Sequence, residues 1–569
     1  MSQDKTLSGG SIVLRVAGAV ALVLLAGGLG GLLGRCSAPN ILPQQVAEVE
    51  TETPSGDEAA EPHAALPIVP SQPPPLYLYL GIGPESVWEA IEEEVAHAVT
   101  VGLHRYIVPA PLFWDEDDTA DSLAHLKRIL SLDPEAEFML QLRFNPPEVW
   151  FDTYPDARME GVAGDIALPT PTSVEWLDAS RQAFDQLHGR LQSDGLHTAV
   201  SGYVLQGLRQ GRWQGGASLD SSAGNTAGFR EWLRRNYADD KGLQKAWHRD
   251  DATLDGALPP EPSPSEEPVS AFLRLKEDAP MIDYARYRAT SVAEAIGALA
   301  SHVRNTAGES PRIWATYGYS FEMAESSNGH LAMGVLLDSD LDGFVAPVSL
   351  TSRGIGGTGG YMGPVHSAMA HGKSWIIVDD TRTGIEWNTE TGQVDQMRGL
   401  RPEDVHNVQR RNFALAAVNG LSLAWSDPLG RGTLCSDAQW TVIGGLLQIY
   451  RNHVDYPGSR LEIARQTYPE DAPLLEDPTL LVVVDEAAQF LCNDAAGLAS
   501  LLAHNRDEIL RTGVSTEFCL LDDLLDNRTP QADIYLFLNA YSLPSEKREQ
   551  LHQRFAEENA PAIWVYAPG

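Results

Sequence analysis

Trp375-Ile376-Ile377-Val378-Asp379-Asp380-Thr381-Arg382-Thr383 is an apolar run that passes without a break into a polar cluster. Unbroken aromatic and β-branched character reads as a strand buried on both faces, which is the habit of a parallel sheet. Polar side chains at the end of such a strand sit where a parallel barrel delivers them into a pocket, at its C-terminal rim. The stretch therefore predicts a fold and the place of a site together.

Outward from it the same alternation recurs. Leu76–Leu80, His104–Val108, Phe138–Phe144, Val200–Leu205 and Arg312–Tyr317 read as short strands. Between them Pro84–Val101 carries Val87, Ile91, Val95 and Ala98 on one helical face. Phe229, Trp232, Leu233 and Tyr237 predict a second helix that continues through Leu243, Ala246 and Trp247, and Tyr284–Val303 a third. The acidic, proline-rich Pro259–Pro268 is an insertion loop. Strand–helix repeats over 76–470 predict a (β/α)8 TIM barrel, the economical closure for a parallel sheet of that length.

The remaining residues, 471–569, start a new pattern. Thr479–Val484, Phe518–Leu521, Ile534–Leu538 and Ile563–Tyr566 are apolar runs with helical stretches between them, which predicts a doubly wound, flavodoxin-like (glutamine-amidotransferase-like) α/β domain. No Gly-x-Gly-x-x-Gly loop follows the first run, so a dinucleotide is not indicated, and no cofactor is expected.

Charge and cysteine content narrow the function classes. The 569 residues hold 41 Lys and Arg against 78 Asp and Glu, a net charge of −37, which argues against a nucleic-acid partner because phosphate backbones are met by basic patches. Cys36, Cys435, Cys492 and Cys519 form no Cys-x-x-Cys pair and suggest neither a zinc site nor a dense disulfide framework; one bridge stays open. Asp338-Ser339-Asp340-Leu341-Asp342-Gly343 imitates the start of a calcium loop, but position twelve is Ser349, so no metal is expected. The glycine-rich Gly354–Gly360 lacks a following Gly-Lys-Ser/Thr and reads as a pocket-edge loop.

At the N-terminus Val16–Leu33 is free of charge and bounded by Arg15 and Arg35. About 18 to 20 apolar residues span a bilayer core, so 12–35 is expected to be an uncleaved transmembrane signal anchor behind a cytoplasmic tail, 1–11. Residues 36–75, rich in Pro and Glu, form a tether that cannot bury enough apolar surface to fold. This places the folded domains outside the cytoplasm, in a periplasm or at the cell surface.

Taken together, several stretches resemble the β-galactosidase-like proteins of glycoside hydrolase family 42. They are Phe229-Arg-Glu-Trp-Leu-Arg-Arg-Asn-Tyr237 with Leu243–Trp247, Tyr317-Gly-Tyr319 with Ser327-Asn-Gly329-His330, Asp342-Gly-Phe344 to Pro347, and Gly372-Lys373-Ser-Trp375 with Asp380-Thr-Arg382-Thr383. Phe537-Leu-Asn539 and Trp564–Gly569 resemble that family's trimerisation domain, which implies a homo-oligomer, a trimer. The resemblance further implies carbohydrate or polysaccharide as the partner and a retaining mechanism. In such a mechanism one carboxylic acid protonates the leaving oxygen and a second carboxylate, about 5 to 5.5 Å away, attacks the sugar.

Here this chain departs from the family pattern. Aligned on Gly207, Gly211 and Trp213, the acid/base position is Arg212; aligned on Asp380, Arg382 and Thr383, the nucleophile position is Val378. A guanidinium has no proton to give near neutrality and valine has no lone pair. Losing a positioned acid costs about 10² to 10⁴ in rate, and without a nucleophile the covalent route closes.

Asp380, Asp379 and Glu322 are the surviving candidates for catalysis. Asp380 shares the strand face of Val378, in a pair with Arg382, or else that ion pair only positions loops. Asp379 faces the other way unless a bulge shifts the register. Glu322 either faces the pocket or is an exposed loop residue. Arg382, Trp213, Tyr319, Asn145 and Trp387 are candidates for holding substrate, the aromatics by stacking on sugar rings or, as ordinary core residues, not at all. Three functions stay open: a membrane-anchored, catalytically degenerate glycosidase-like protein that binds glycan or serves as a scaffold, an active retaining β-glycosidase using shifted carboxylates, and a purely structural oligomer.

Overall fold

The computed structural model describes residues 74–114, 123–162, 167–209, 211–214, 219–260, 271–396, 400–454, 480–493 and 495–566. The expected anchor, most of the tether and the 259–268 insertion lie largely or wholly outside them. No helix among the described residues is long and apolar enough to cross a membrane.

β1 (Leu76–Leu80), β2 (Arg105–Ala110), β3 (Glu137–Arg143), β4 (Val200–Gln206), β5 (Arg312–Ala315), β6 (Gly343–Pro347), β7 (Ser374–Asp379) and β10 (Ser422–Asp427) close a parallel eight-stranded barrel. Closure is made by β1, which pairs with β2 on one side and β10 on the other. Tyr77, Ile107, Met139, Val204, Trp314, Val345, Ile376 and Ala424, one from each strand, fill its interior. Neighbouring residues on the same strands, such as Leu78, Tyr106, Phe138 and Trp375, turn outward into the helical layer. This period-two division explains why the strands read as continuous apolar runs: both faces are buried. β10 escapes the pattern because its inward positions are Ser422, Ala424 and Ser426, so it carries no β-branched signal.

Two expected helices differ in detail. The single helix through Phe229 and Trp247 is two, Ala223–Asn236 and Asp240–Trp247. Tyr237 is extended and the Asp239 carboxylate accepts the Gly242 N–H at 2.8 Å, so Asp239 caps a new helix rather than continuing the old one. Both pieces are held by one buried carboxylate, Asp283, which accepts from Tyr237 Oη at 2.6 Å and Trp247 Nε1 at 2.8 Å. Asp283 belongs to the long helix Ala279–Ala307.

After the barrel, β11 (Leu480–Val484), β12 (Thr516–Leu520), β13 (Ile534–Phe537) and β14 (Ala562–Trp564) form a parallel sheet in the order β12-β11-β13-β14. One of its faces, with Leu481, Val483, Cys519, Tyr535 and Phe537, has its own small core. The other, with Val482, Val484, Phe518 and Leu536, merges with the core of the barrel's helical layer. Asn539 ties the strand ends, giving its amide to Asp485 O and accepting from Asp485 N, each at 2.8 Å. Among the described residues Cys435, Cys492 and Cys519 form no disulfide with one another.

The calcium-loop imitation is taken apart by the fold. Asp342 accepts from Arg304 Nη2 at 2.6 Å and Ile313 N at 2.7 Å, and Asp340 accepts from Ser301. Among the described residues no group of His, Cys, Asp and Glu side chains is arranged to hold a metal ion.

Candidate functional site

The mouth is built from the C-terminal strand ends. Tyr79 of β1 and Val378 of β7 pack on the interior layer, one step nearer the rim, with Tyr79 Oη donating to Gln141 Oε1 of β3 at 2.9 Å. Gln141 lies two residues beyond the interior Met139, and Arg143 two beyond Gln141, so the same alternation brings the exposed Arg143 to the mouth. The charge of Arg143 acts on Tyr79, whose phenol is raised by burial against the pull of Gln141 and Arg143.

β4 leads into the turn that carries the first motif. Gly207 N donates to Thr316 Oγ1 at 2.7 Å, and Arg209 and Arg212 exchange backbone hydrogen bonds of 3.0 and 2.8 Å. A Cβ on Gly207 would stand 2.7 Å from the Gly211 backbone, and Gly211 itself has φ +79° with Tyr319 3.2 Å from where its Cβ would be. Both glycines are thus required by a chain folded back on itself. Trp213 locks the turn from below: its ring is buried and Nε1 donates to Thr316 O at 2.8 Å. As a sugar-stacking surface it is therefore corrected to a core residue. Arg212 stands between these anchors, its Nε buried without a partner.

Tyr319 is also covered. It stacks on His330 with ring centres 4.2 Å apart and donates to Val345 O at 3.2 Å. Only 5% exposed, it offers its surroundings an edge rather than a free stacking face. Burial pushes the His330 ring down to about 3, opposed by the Gly211 backbone and helped by the charge of Arg212, so it is neutral at ordinary pH.

The second motif divides between two faces. Asp379 points outward: Asn412 Nδ2, on the helix Pro402–Val418, donates to its Oδ1 at 2.8 Å, and Thr381 bonds to the same oxygen. Burial raises its carboxyl to about 6, partly offset by the bonds from Thr381 and Asn412. Asp380 pairs with Arg353, at 2.6 Å, and not with Arg382. Arg353 is well placed for this because its other groups donate to Ser349 O and Val348 O, just past β6. Arg382 is left exposed.

Glu322 is neither in the pocket nor exposed. Its side chain is 3% exposed and pairs with Arg506 at 2.8 Å. Its oxygens also accept from Ser349 Oγ at 2.5 Å, Leu350 N at 2.7 Å and Thr351 N at 3.2 Å. Arg506, fully buried, donates in addition to Tyr361 O and Asp507, so Glu322 joins the loop after β5 to the helix Asn505–Arg511 of the C-terminal region. The signal missed in the sequence was Arg506, which lies 184 positions away.

The glycine-rich loop after β6 is pinned by its carbonyls, with Arg411 donating to Gly354 O and Gly357 O and Arg511 to Gly356 O. Trp387 lies half-buried on the hairpin of β8 (Ile385–Asn388) and β9 (Gln393–Gln396), its backbone N–H donating to Arg431 O at 2.8 Å. Asn145, just past β3, is half-buried with an unpartnered Oδ1. The mouth therefore gathers Tyr79, Arg143, Arg212, Tyr319, Val378 and Asp380.

No family model matches the chain, and no curated protein matches it. Solved structures do. A β-galactosidase from the haloarchaeon Halorubrum lacusprofundi superposes with a TM-score of 0.58 at 14% identity, over 85% of this chain and 71% of that one. A β-galactosidase from Bacillus circulans sp. alkalophilus gives 0.57 at 12% identity, over 86% and 71%. Gan42B, a GH42 β-galactosidase from G. stearothermophilus, gives 0.55 at 11% identity in a catalytic-mutant structure, over 84% and 69%. At such identities the likeness establishes the fold: a (β/α)8 barrel like that of the GH42 β-galactosidases.

Proposed function

We propose that this GH42-like barrel is a carbohydrate-binding protein, anchored to a membrane through residues 12–35, whose mouth holds a glycan without hydrolysing it. The observation that carries the reading is the fate of the nearby carboxylates. Val378, at the nucleophile position, projects into the barrel from the C-terminal end of β7, and Arg212, at the acid position, stands in the turn after β4. Asp379 faces the helices, Glu322 is consumed by Arg506, and Asp380 is neutralised by Arg353. A retaining hydrolase needs two carboxyl groups about 5 to 5.5 Å apart facing one sugar. Asp380 is the one candidate acid that remains at the mouth.

The scaffold argues for binding rather than bulk. Gly207, Gly211 and Trp213 keep the turn that holds residue 212 just past the C-terminal end of β4, although the acid is gone. The test is an assay of chromogenic β-galactosides with the protein and with an Arg212→Glu, Val378→Glu double variant. Activity gained only by the variant supports the reading, and turnover by the unaltered protein overturns it. Membrane attachment is checked by fractionation of cells expressing the full chain and a form lacking residues 1–35, which should leave the membrane fraction.

A further inference from the structure

The chain holds almost two acidic residues for each basic one, and its arginines are answered accordingly. Arg105 meets Glu137, Arg128 meets Glu92, Arg304 meets Asp342, and Arg431 meets both Glu85 and Glu386. Arg143, Arg212 and Arg382 break this rule. Among the described residues no carboxylate or carbonyl bonds to their side chains; the same holds for Arg312 and Arg528, but of these five only Arg143, Arg212 and Arg382 lie at the C-terminal ends of barrel strands, Arg143 as the last residue of β3 and the other two just past β4 and β7. Electrostatic influence and one ring stack tie two of them to the middle of the mouth. Arg143 acts on Tyr79, Tyr79 and Asp380 act on Tyr319, and Tyr319 stacks on His330, which feels Arg212.

The strand-end acids do not neutralise them. Asp380 is taken by Arg353, Glu322 by Arg506, and Asp379 faces the helices. A half-buried guanidinium with an unsatisfied Nε is costly unless something binds it, and a neutral sugar hydroxyl is a weak answer. The planar fork matches carboxylate and sulfate oxygens two at a time.

We infer that the mouth takes a glycan carrying an anionic substituent, a uronate carboxylate or a sulfate ester, held by Arg143 and Arg212 and reached by the exposed Arg382 from the loop after β7. This rests on the glycan-binding reading above and narrows it. The substitution at position 212 then has a positive purpose: it replaces a proton donor with an anion receptor.

The test is calorimetry on the full chain in detergent micelles. The ligands are three oligosaccharide sets: a neutral β-galactan, an oligogalacturonate and a sulfated galactan. One charged set should bind at least about tenfold more tightly than the neutral set, and which one does separates carboxylate from sulfate as the source. Each of Arg143→Gln, Arg212→Gln and Arg382→Gln should weaken that binding roughly 10- to 100-fold, the scale of one charge-assisted hydrogen bond. Arg312→Gln, at the opposite end of the barrel on the N-terminal residue of β5, should leave it unchanged. Since Arg143 and Arg382 are exposed, their variants also fold if Arg212→Gln does not. Equal or tighter binding of the neutral set, or charged-set binding that survives Arg143→Gln and Arg382→Gln, overturns the inference and leaves glycan binding standing. Failure of all three sets to bind sinks both.

Discussion

Glu322→Gln separates a structural carboxylate from a catalytic one. The change keeps the shape and removes the charge that faces Arg506, whose side chain is fully buried. Arg506 retains Asp507 at 2.9 Å and Tyr361 O at 2.6 Å, so its charge is not wholly abandoned. One glutamine position must, however, turn an N–H toward either the guanidinium or the Leu350 and Thr351 amides, which are donors already. Removing one partner of a buried pair costs about 3 to 5 kcal/mol, and the lower end applies because Asp507 stays. With a urea slope of about 3 kcal/mol per molar, the unfolding midpoint falls by about 1 M. Tryptophan fluorescence in a urea series measures it. Combining Glu322→Gln with Arg506→Met should cost less than the sum of the two single changes, since the second removes the charge that the first strands. A midpoint unmoved by Glu322→Gln, together with lost glycan binding, refutes this account and returns Glu322 to the site.

Asp379→Asn should leave glycan binding unchanged within about twofold by calorimetry, since Asp379 faces Asn412 and not the mouth. Gly211→Ala should destabilise by about 1 to 3 kcal/mol in the same urea series, because φ +79° and the nearby Tyr319 ring both resist a Cβ. Glu486, half-buried where β11 meets the barrel helix Met333–Leu337 and accepting from Met333 N, has its carboxyl raised to about 7 by desolvation, from an ordinary 4.5. A raised acid binds its proton more tightly when folded, so its contribution is complete below pH 4.5 and is lost as pH rises through about 7, by about 3 kcal/mol in all. Melting temperatures across that range should therefore slope less in Glu486→Gln, and an identical slope in both proteins would remove Glu486 from the cause.

The barrel and the parallel C-terminal sheet were legible because they depend on local chemistry. A strand buried on both faces must be apolar along its whole length, and Trp375–Val378 or Leu480–Val484 declare this without help from distant residues. β10 was illegible for the matching reason, its inward side chains being small. The orientation of Asp379 away from the mouth also followed from strand alternation alone. Partners did not. That Asp380 would choose Arg353 over its near neighbour Arg382, that Glu322 would vanish into a pair with Arg506, and that Trp213 would seal a turn from beneath are decisions of packing. A side chain's charge and shape are properties of the chain, whereas which opposite charge reaches it, and whether water does, depends on surfaces that meet only after strands and helices have closed around one another.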